Sequence, residues 1–304
     1  MSSILSSVRR GVEENGRVYP SFGKYEYGMP IDEKELDRND LQHHKYTVLL
    51  DDKLYIAPIP DSVLEEPGSR VLDIGTGTGV WAIDMADRFV NAEVVGSDIA
   101  AIQPSFLPVN CTFEIEDAED DWPYPAMSFD FVHGRDLMTA IRDWPTLIAQ
   151  AYNVLRPGGW VQLASTIPDL HSDDNTVPHN SAFKEACDVY RAIGEKMGAP
   201  ATAPRRWSSQ MSRIGFTNIR DTVLKIPSGP WAKDKRLRNV GAIERLMLVE
   251  GLEAYLLRGW TQTLGRKAED CSLLCALAKR ELYNPKMHSY VEFHITYGQK
   301  PATT

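Results

Sequence analysis

The chain has 304 residues, 43% of them hydrophobic and 25% charged, with a formal net charge of −9. That balance describes a folded protein able to bury a sizeable core; the sequence has no run of about 18 apolar residues to suggest a membrane span, and MSSILSSVRRGVEENG lacks the pattern of a secretory signal. The acidic charge argues against a nucleic-acid partner, which needs a basic stripe where only short clusters such as Lys233 to Arg238 occur.

The first 16 residues are small and polar and are expected to fray. Arg17 to Pro30 carries Tyr19, Phe22, Tyr25 and Tyr27 among glycines and prolines, an aromatic loop suited to docking. Asp32 to Leu50 reads as a helix with Leu36, Leu41, Val48 and Leu49 among its apolar positions. Residues 1–60 are therefore expected to form an N-terminal extension that contributes to a lid, ahead of a main domain over residues 61–304.

From Arg70 short apolar runs alternate with helical stretches. Strands are predicted at Arg70 to Ile74, Glu93 to Ser97, Thr112 to Ile115, Phe129 to His133 and Trp160 to Ser165. Helices are predicted at Gly79 to Phe89 and Pro145 to Leu155, the second stopped by Arg156-Pro157-Gly158-Gly159. This rhythm predicts an α/β protein with a doubly wound, mostly parallel sheet. Further helices are expected at Ser181 to Met197 and Arg205 to Ile214, and strands at Asn218 to Ile226 and His288 to Gly298. Between those last strands lies a helical insertion, about 234–284, whose apolar face includes Leu246, Met247, Leu252, Tyr255 and Trp260. It extends the core and is placed to cover a crevice at the sheet edge.

RVLDIGTGTGV, Arg70 to Val80, is a buried strand followed by glycines at alternate positions. Gly75, Gly77 and Gly79 allow positive φ and close approach of backbone to a ligand. Ligands of open α/β sheets bind outside the carboxyl ends of the strands. A dinucleotide loop wants Gly or Ala three residues after its second glycine, where this chain has Val80. The GxGxG pattern suits S-adenosylmethionine better. Asp98, about 20 residues on, is placed to accept from both ribose hydroxyls. After the third strand Asp117 is placed to accept from an adenine amino group, and the Ala118 amide to donate to the ring.

Methyl transfer needs chiefly orientation, and a general base is optional. Among the histidines, His133 at the end of the fourth strand is the candidate base, or else a residue that shapes the donor site. His43 and His44 share a helix on which only one can face inward; His171 and His179 flank a polar loop; His288 and His294 are expected to be structural. The cysteines Cys111, Cys187, Cys271 and Cys275 show no metal-type spacing and read as free thiols of a reducing, cytoplasmic compartment.

VLDIGTGTGVWAIDMA, VVGSDI with IQP, FEIEDAEDDW, SFDFVHGRDL, DWPTLIAQAYNVLRPGGW and GPWAKDK resemble the class I S-adenosylmethionine-dependent methyltransferases of the fungal LaeA-like group, as does Arg17 to His43 with Tyr19, Tyr27, Pro30 and Asp32. Pro20 departs from the group's usual histidine. The resemblance implies a seven-stranded Rossmann-like sheet whose last strand runs antiparallel. It implies S-adenosylmethionine as donor, S-adenosylhomocysteine as product, no metal, and donor contacts from Asp73, Gly75, Thr76, Gly77, Asp98, Ile99, Asp117 and Ala118, with Gln103 and Arg135 as further contacts and Tyr27 closing from the N-terminal side. The group includes enzymes that methylate small secondary metabolites on O, N or S, and regulators of secondary metabolism. A regulatory role would imply a protein partner and a nuclear location.

Overall fold

The computed structural model describes residues 11–302. Val12–Glu14 (β1) and Arg17–Tyr19 (β2) form an antiparallel hairpin. Asn15 and Gly16 between them both have positive φ, as a two-residue I′ turn requires. Residues 11–16 are thus ordered by pairing, contrary to the expectation of fraying; residues 1–10 lie outside the described residues. Arg17 ties the hairpin to the next helix through a two-pronged contact with Asp32, at 2.6 and 2.7 Å. Asp32 also caps Glu33–Leu49 (α1) by accepting from the Glu35 N–H.

The inward face of α1 is polar. Glu35, Arg38, His43, Lys45 and Tyr46 are buried with Leu49, whereas Leu36, Leu41 and Val48 are only partly covered. Lys45 Nζ meets Glu244 Oε2 at 2.8 Å. Arg38 donates to Glu35 at 2.7 Å and to the Tyr255 hydroxyl at 2.6 Å. Internal pairing of charges thus replaces apolar contact along this face.

After a short helix, Asp61–Glu65 (α2), come Arg70–Ile74 (β3), Val80–Arg88 (α3), Glu93–Asp98 (β4), Cys111–Ile115 (β5), Phe129–Arg135 (β6), Trp144–Val154 (α4) and Leu155–His171 (β7). Ala182–Lys196 (α5), Pro204–Ile214 (α6), Thr217–Pro227 (β8), Lys235–Arg258 (α7), Ala268–Leu282 (α8) and Tyr290–Gln299 (β9) complete the chain. The seven-stranded sheet has the order β5-β4-β3-β6-β7-β9-β8, with β9 antiparallel to both neighbours. The strand order reverses between β3 and β6, which places a crevice above them.

Alternation along the strands divides the core. Val71, Val94 and Phe131 face Trp81 and Met85 of α3, while Leu72, Val95 and Val132 face Leu147 of α4 and Trp207 of α6. The insertion between β8 and β9 packs α7 and α8 against α5 through Phe183, Ile193, Leu252, Leu256 and Leu274. Tyr46 of α1 stacks on Phe293 of β9 with ring centres 4.4 Å apart, so the N-terminal helix closes over the sheet beside α7. All four cysteines are buried and free. No helix among the described residues is long and apolar enough to cross a membrane.

Candidate active site

The loop after β3 turns with Gly75, Gly77 and Gly79 at φ +61°, +59° and +82°. Their surroundings differ. A Cβ on Gly75 would lie 2.2 Å from Leu137, and one on Gly79 would lie 2.3 Å from the Phe113 ring. At Gly77, which lines the cleft, a Cβ would meet nothing within 4 Å. Two of the glycines therefore serve packing, and Gly77 keeps the cradle open.

The Gly77 N–H donates to Asp98 Oδ2 at 2.8 Å, and the Ala100 N–H to Asp98 Oδ1 at 2.9 Å. Burial pushes the Asp98 carboxyl up to about 6, against the pull of the two amides. Thr76, Ile99, Asp117, Ala118 and Arg135 line the same cleft, together with Tyr27. Asp117 accepts from the Glu119 N–H at 2.9 Å and from the Lys24 N–H at 2.6 Å. The aromatic loop is pinned there a second time, because the Arg142 guanidinium sits 3.9 Å from the centre of the Tyr25 ring. The Tyr27 carbonyl accepts from Arg258 at 2.7 Å, and burial raises the Tyr27 phenol above its ordinary value.

Three of the expected site residues lie beneath the cleft. Asp73 is buried and accepts from Thr76 Oγ1 at 2.6 Å, while its other oxygen meets His133 Nδ1 at 2.7 Å. His133 is 1% exposed and stacks on Trp81 with ring centres 3.7 Å apart. Burial lowers its pKa despite the Asp73 contact. A general base must reach the proton it removes, so the buried His133 is better placed for the other role read for it, shaping the donor site by bracing the loop through Asp73. Gln103 donates to the carbonyls of Gly77 at 2.7 Å and Ala100 at 2.9 Å, holding the cradle from outside.

His43, His288 and His294 have carboxylate partners. His43 is buried and His44 exposed. Arg135 donates to His43 Nδ1 at 3.1 Å, so the ring's proton faces Asp84 from Nε2 at 2.8 Å. His288 pairs with Asp174 and His294 with Asp221, away from the cleft.

The sequence reading missed Asp136, the residue after β6. Its φ of +54° is unusual for a non-glycine residue. It accepts from Gln42 Nε2 and the Tyr46 hydroxyl, and from the Thr166 N–H at 3.1 Å. An acidic residue at the carboxyl end of a buried strand, beside Arg135, was the available signal.

A second, smaller cavity of about 80 Å³ adjoins the cleft. Gln42, Asp136, Met138, Tyr190 and Tyr255 line both. Burial raises the phenols of Tyr46 and Tyr255 and pushes Tyr190 up to about 12. They are donors at neutral pH. Asp136 is occupied by donors from Gln42, Tyr46 and Thr166.

A methyltransferase-domain model matches residues 41–220, which is more than half of the chain. The chain belongs to the methyltransferase family. The methyltransferase pytC of Aspergillus terreus is 37% identical over 304 residues, covering 99% of this chain and 91% of pytC. The secondary metabolism regulator laeA of Aspergillus fumigatus is 33% identical, covering 95% of this chain and 76% of laeA. A laeA of Emericella nidulans, 32% identical over similar shares of 95% and 76%, is described as a protein-methionine methyltransferase. Among solved structures the cyclase SpnF shares the fold, with 16% identity, a TM-score of 0.50 and coverage of 86% of this chain and 82% of that one. The family uses S-adenosylmethionine, and the open cradle at Gly77 with the desolvated Asp98 beside it fits that donor.

Proposed function

We propose that this methyltransferase modifies a small-molecule secondary metabolite at O, N or S. The observation that carries the reading is the second cavity: a partly apolar chamber that shares five wall residues with the donor cleft leaves room for a small acceptor beside the donor.

Asp98 is assigned to the ribose hydroxyls, which its carboxylate would hold by charge-assisted bonds. The Gly75-Thr76-Gly77 backbone faces the amino-acid portion, and Ile99, Asp117 and Ala118 the adenine, with Arg135 and Tyr27 closing the cleft. Asp117 keeps capacity for a further donor, since an ionised carboxylate offers about four lone-pair sites. Asp73, His133 and Gln103 position the loop. S-adenosylmethionine would supply an electrophilic methyl: the acceptor's lone pair would form the new bond, the broken carbon–sulfur pair would stay on sulfur, and the proton of an O–H, N–H or S–H acceptor would leave to solvent. The protein's part is to hold the acceptor in line and exclude water, which is worth on the order of 7–11 kcal/mol in well-oriented reactions. The hairpin and aromatic loop on one side and α7 on the other act as the lid.

The second reading is a regulator acting through protein partners, favoured by the names of several relatives that are 32–33% identical. Incubating the protein with deuteromethyl-labelled donor and a fungal metabolite extract separates the two. Label in a small molecule supports the first reading; label confined to protein supports the second and sinks the first.

A further inference from the structure

Resting on the methyl-transfer reading, we propose that the second cavity selects an uncharged, flat and mainly apolar acceptor whose polar oxygen is recognised by the buried Lys45–Glu244 pair. At about 80 Å³ the cavity far exceeds the ~10–15 Å³ that a single water needs. Phe183, Leu248, Leu252 and Leu256 give it apolar walls. Tyr190 and Tyr255 meet edge to face at 5.8 Å along the boundary with the donor cleft, a geometry that receives a planar ring by edge or face contact. The methylated atom belongs at that boundary, and the body of the acceptor in the chamber.

The electrostatics narrow the class further. Lys45 is the cation lining the cavity, and its charge is already neutralised by Glu244 at 2.8 Å. The nearby carboxylate of Asp136 lines the same cavity, accepting from the neutral donors Gln42, Tyr46 and Thr166 and making no ion pair among the described residues. An anionic acceptor would lose its hydration and face a net negative lining. A buried ion pair of this kind adds little to stability compared with apolar packing, yet Lys45 and Glu244 are only 2% and 6% exposed. The ammonium carries three N–H donors; Glu244 uses one and the Tyr46 ring lies 4.3 Å away, which leaves capacity for one more acceptor. A carbonyl or hydroxyl oxygen at the far end of a flat acceptor fits that arrangement. It gives the pair a role in selection, bridging α1 and α7 across the chamber.

The test uses the full chain saturated with S-adenosylhomocysteine and two probes of matched shape, β-naphthol and β-naphthoate, followed by calorimetry. Naphthol should bind, and naphthoate should bind about tenfold or more weakly. Leu252→Trp, which fills the chamber, should remove naphthol binding while leaving S-adenosylhomocysteine affinity intact. The double variant Lys45→Met with Glu244→Met, which replaces the pair by apolar volume, should keep its affinity for S-adenosylhomocysteine and lose naphthol affinity several-fold. Equal affinity for the two probes, binding of neither, or naphthol affinity unchanged in both variants would overturn the proposal. Failure of the wild-type chain to bind S-adenosylhomocysteine would instead remove the methyl-transfer reading beneath it.

Discussion

The Gly77 N–H and Asp98 Oδ2 are joined by a 2.8 Å hydrogen bond that ties the cradle to the end of β4. One residue leaves the space and the other supplies the charge, so the two should fail in different ways.

Gly77→Val should abolish donor binding while the chain remains folded, because Gly77 lines the cleft and a Cβ there meets no protein atom within 4 Å. The positive φ adds about 1–2 kcal/mol of backbone strain. Gly75→Ala should behave differently: its Cβ would lie 2.2 Å from Leu137, and overpacking should cost about 1–3 kcal/mol more. Thermal melts alongside calorimetric titration distinguish them, and a Gly77→Val protein that binds S-adenosylhomocysteine normally would show that the donor does not approach this loop.

Donor affinity should depend on pH through Asp98. Its carboxyl is raised from 3.8 to about 6 by burial, and only the ionised form accepts from both ribose hydroxyls. Affinity should be level above neutrality and fall roughly tenfold by about pH 5, since the ionised fraction drops by that factor per unit below the pKa. In the donor-free protein the sign is opposite for stability. The folded chain holds this proton more tightly than the unfolded one, so the group costs stability progressively as pH rises from 3.8 towards 6. Titrations of Asp98→Asn should be weak and free of this pH dependence.

His133→Gln should weaken donor binding without altering the pH profile of turnover. The imidazole supports Asp73 at 2.7 Å and packs on Trp81, and loses only that support on substitution. Disappearance of an ionisation near neutrality from the rate profile would restore it as a base.

Gly251→Ala tests the docking of the N-terminal helix. A Cβ there would lie 2.5 Å from Arg38 Cδ, and Arg38 is fixed by Glu35 and Tyr255. Destabilisation of about 1–3 kcal/mol is expected, measured by denaturant unfolding. An unchanged midpoint would mean that α1 is free to shift.

Much of the fold was legible because its local signals agree with its packing. The buried runs at β3, β4 and β6 and the alternation with α3 and α4 follow from apolar patterning, and Asp32 announces its own helix. Helix α1 was legible as a helix but not in its orientation, because Glu35, Arg38 and Lys45 are buried through partners on α1 itself and on α7, which lie up to 217 residues away. The Asn15-Gly16 turn was visible in the sequence and was overlooked in favour of polarity. At the site, Gly77, Asp98 and Asp117 sit where strand-end logic puts them. His133 and Gln103 sit close in sequence to the cleft, but their side chains are spent on Asp73 and on backbone carbonyls. Asp136 and the second cavity needed the tertiary arrangement, because Gln42, Tyr46 and Tyr255 reach them from α1 and α7.

The central claim, that Gly77 and Asp98 form a methyl-donor cradle, is tested most directly by calorimetric titration of S-adenosylhomocysteine and NAD into the wild-type chain and Asp98→Ala. Binding of S-adenosylhomocysteine by the wild type, with severe loss in the folded variant and silence from NAD, is the predicted result. Equal affinity in wild type and variant, or binding of NAD alone, would contradict it.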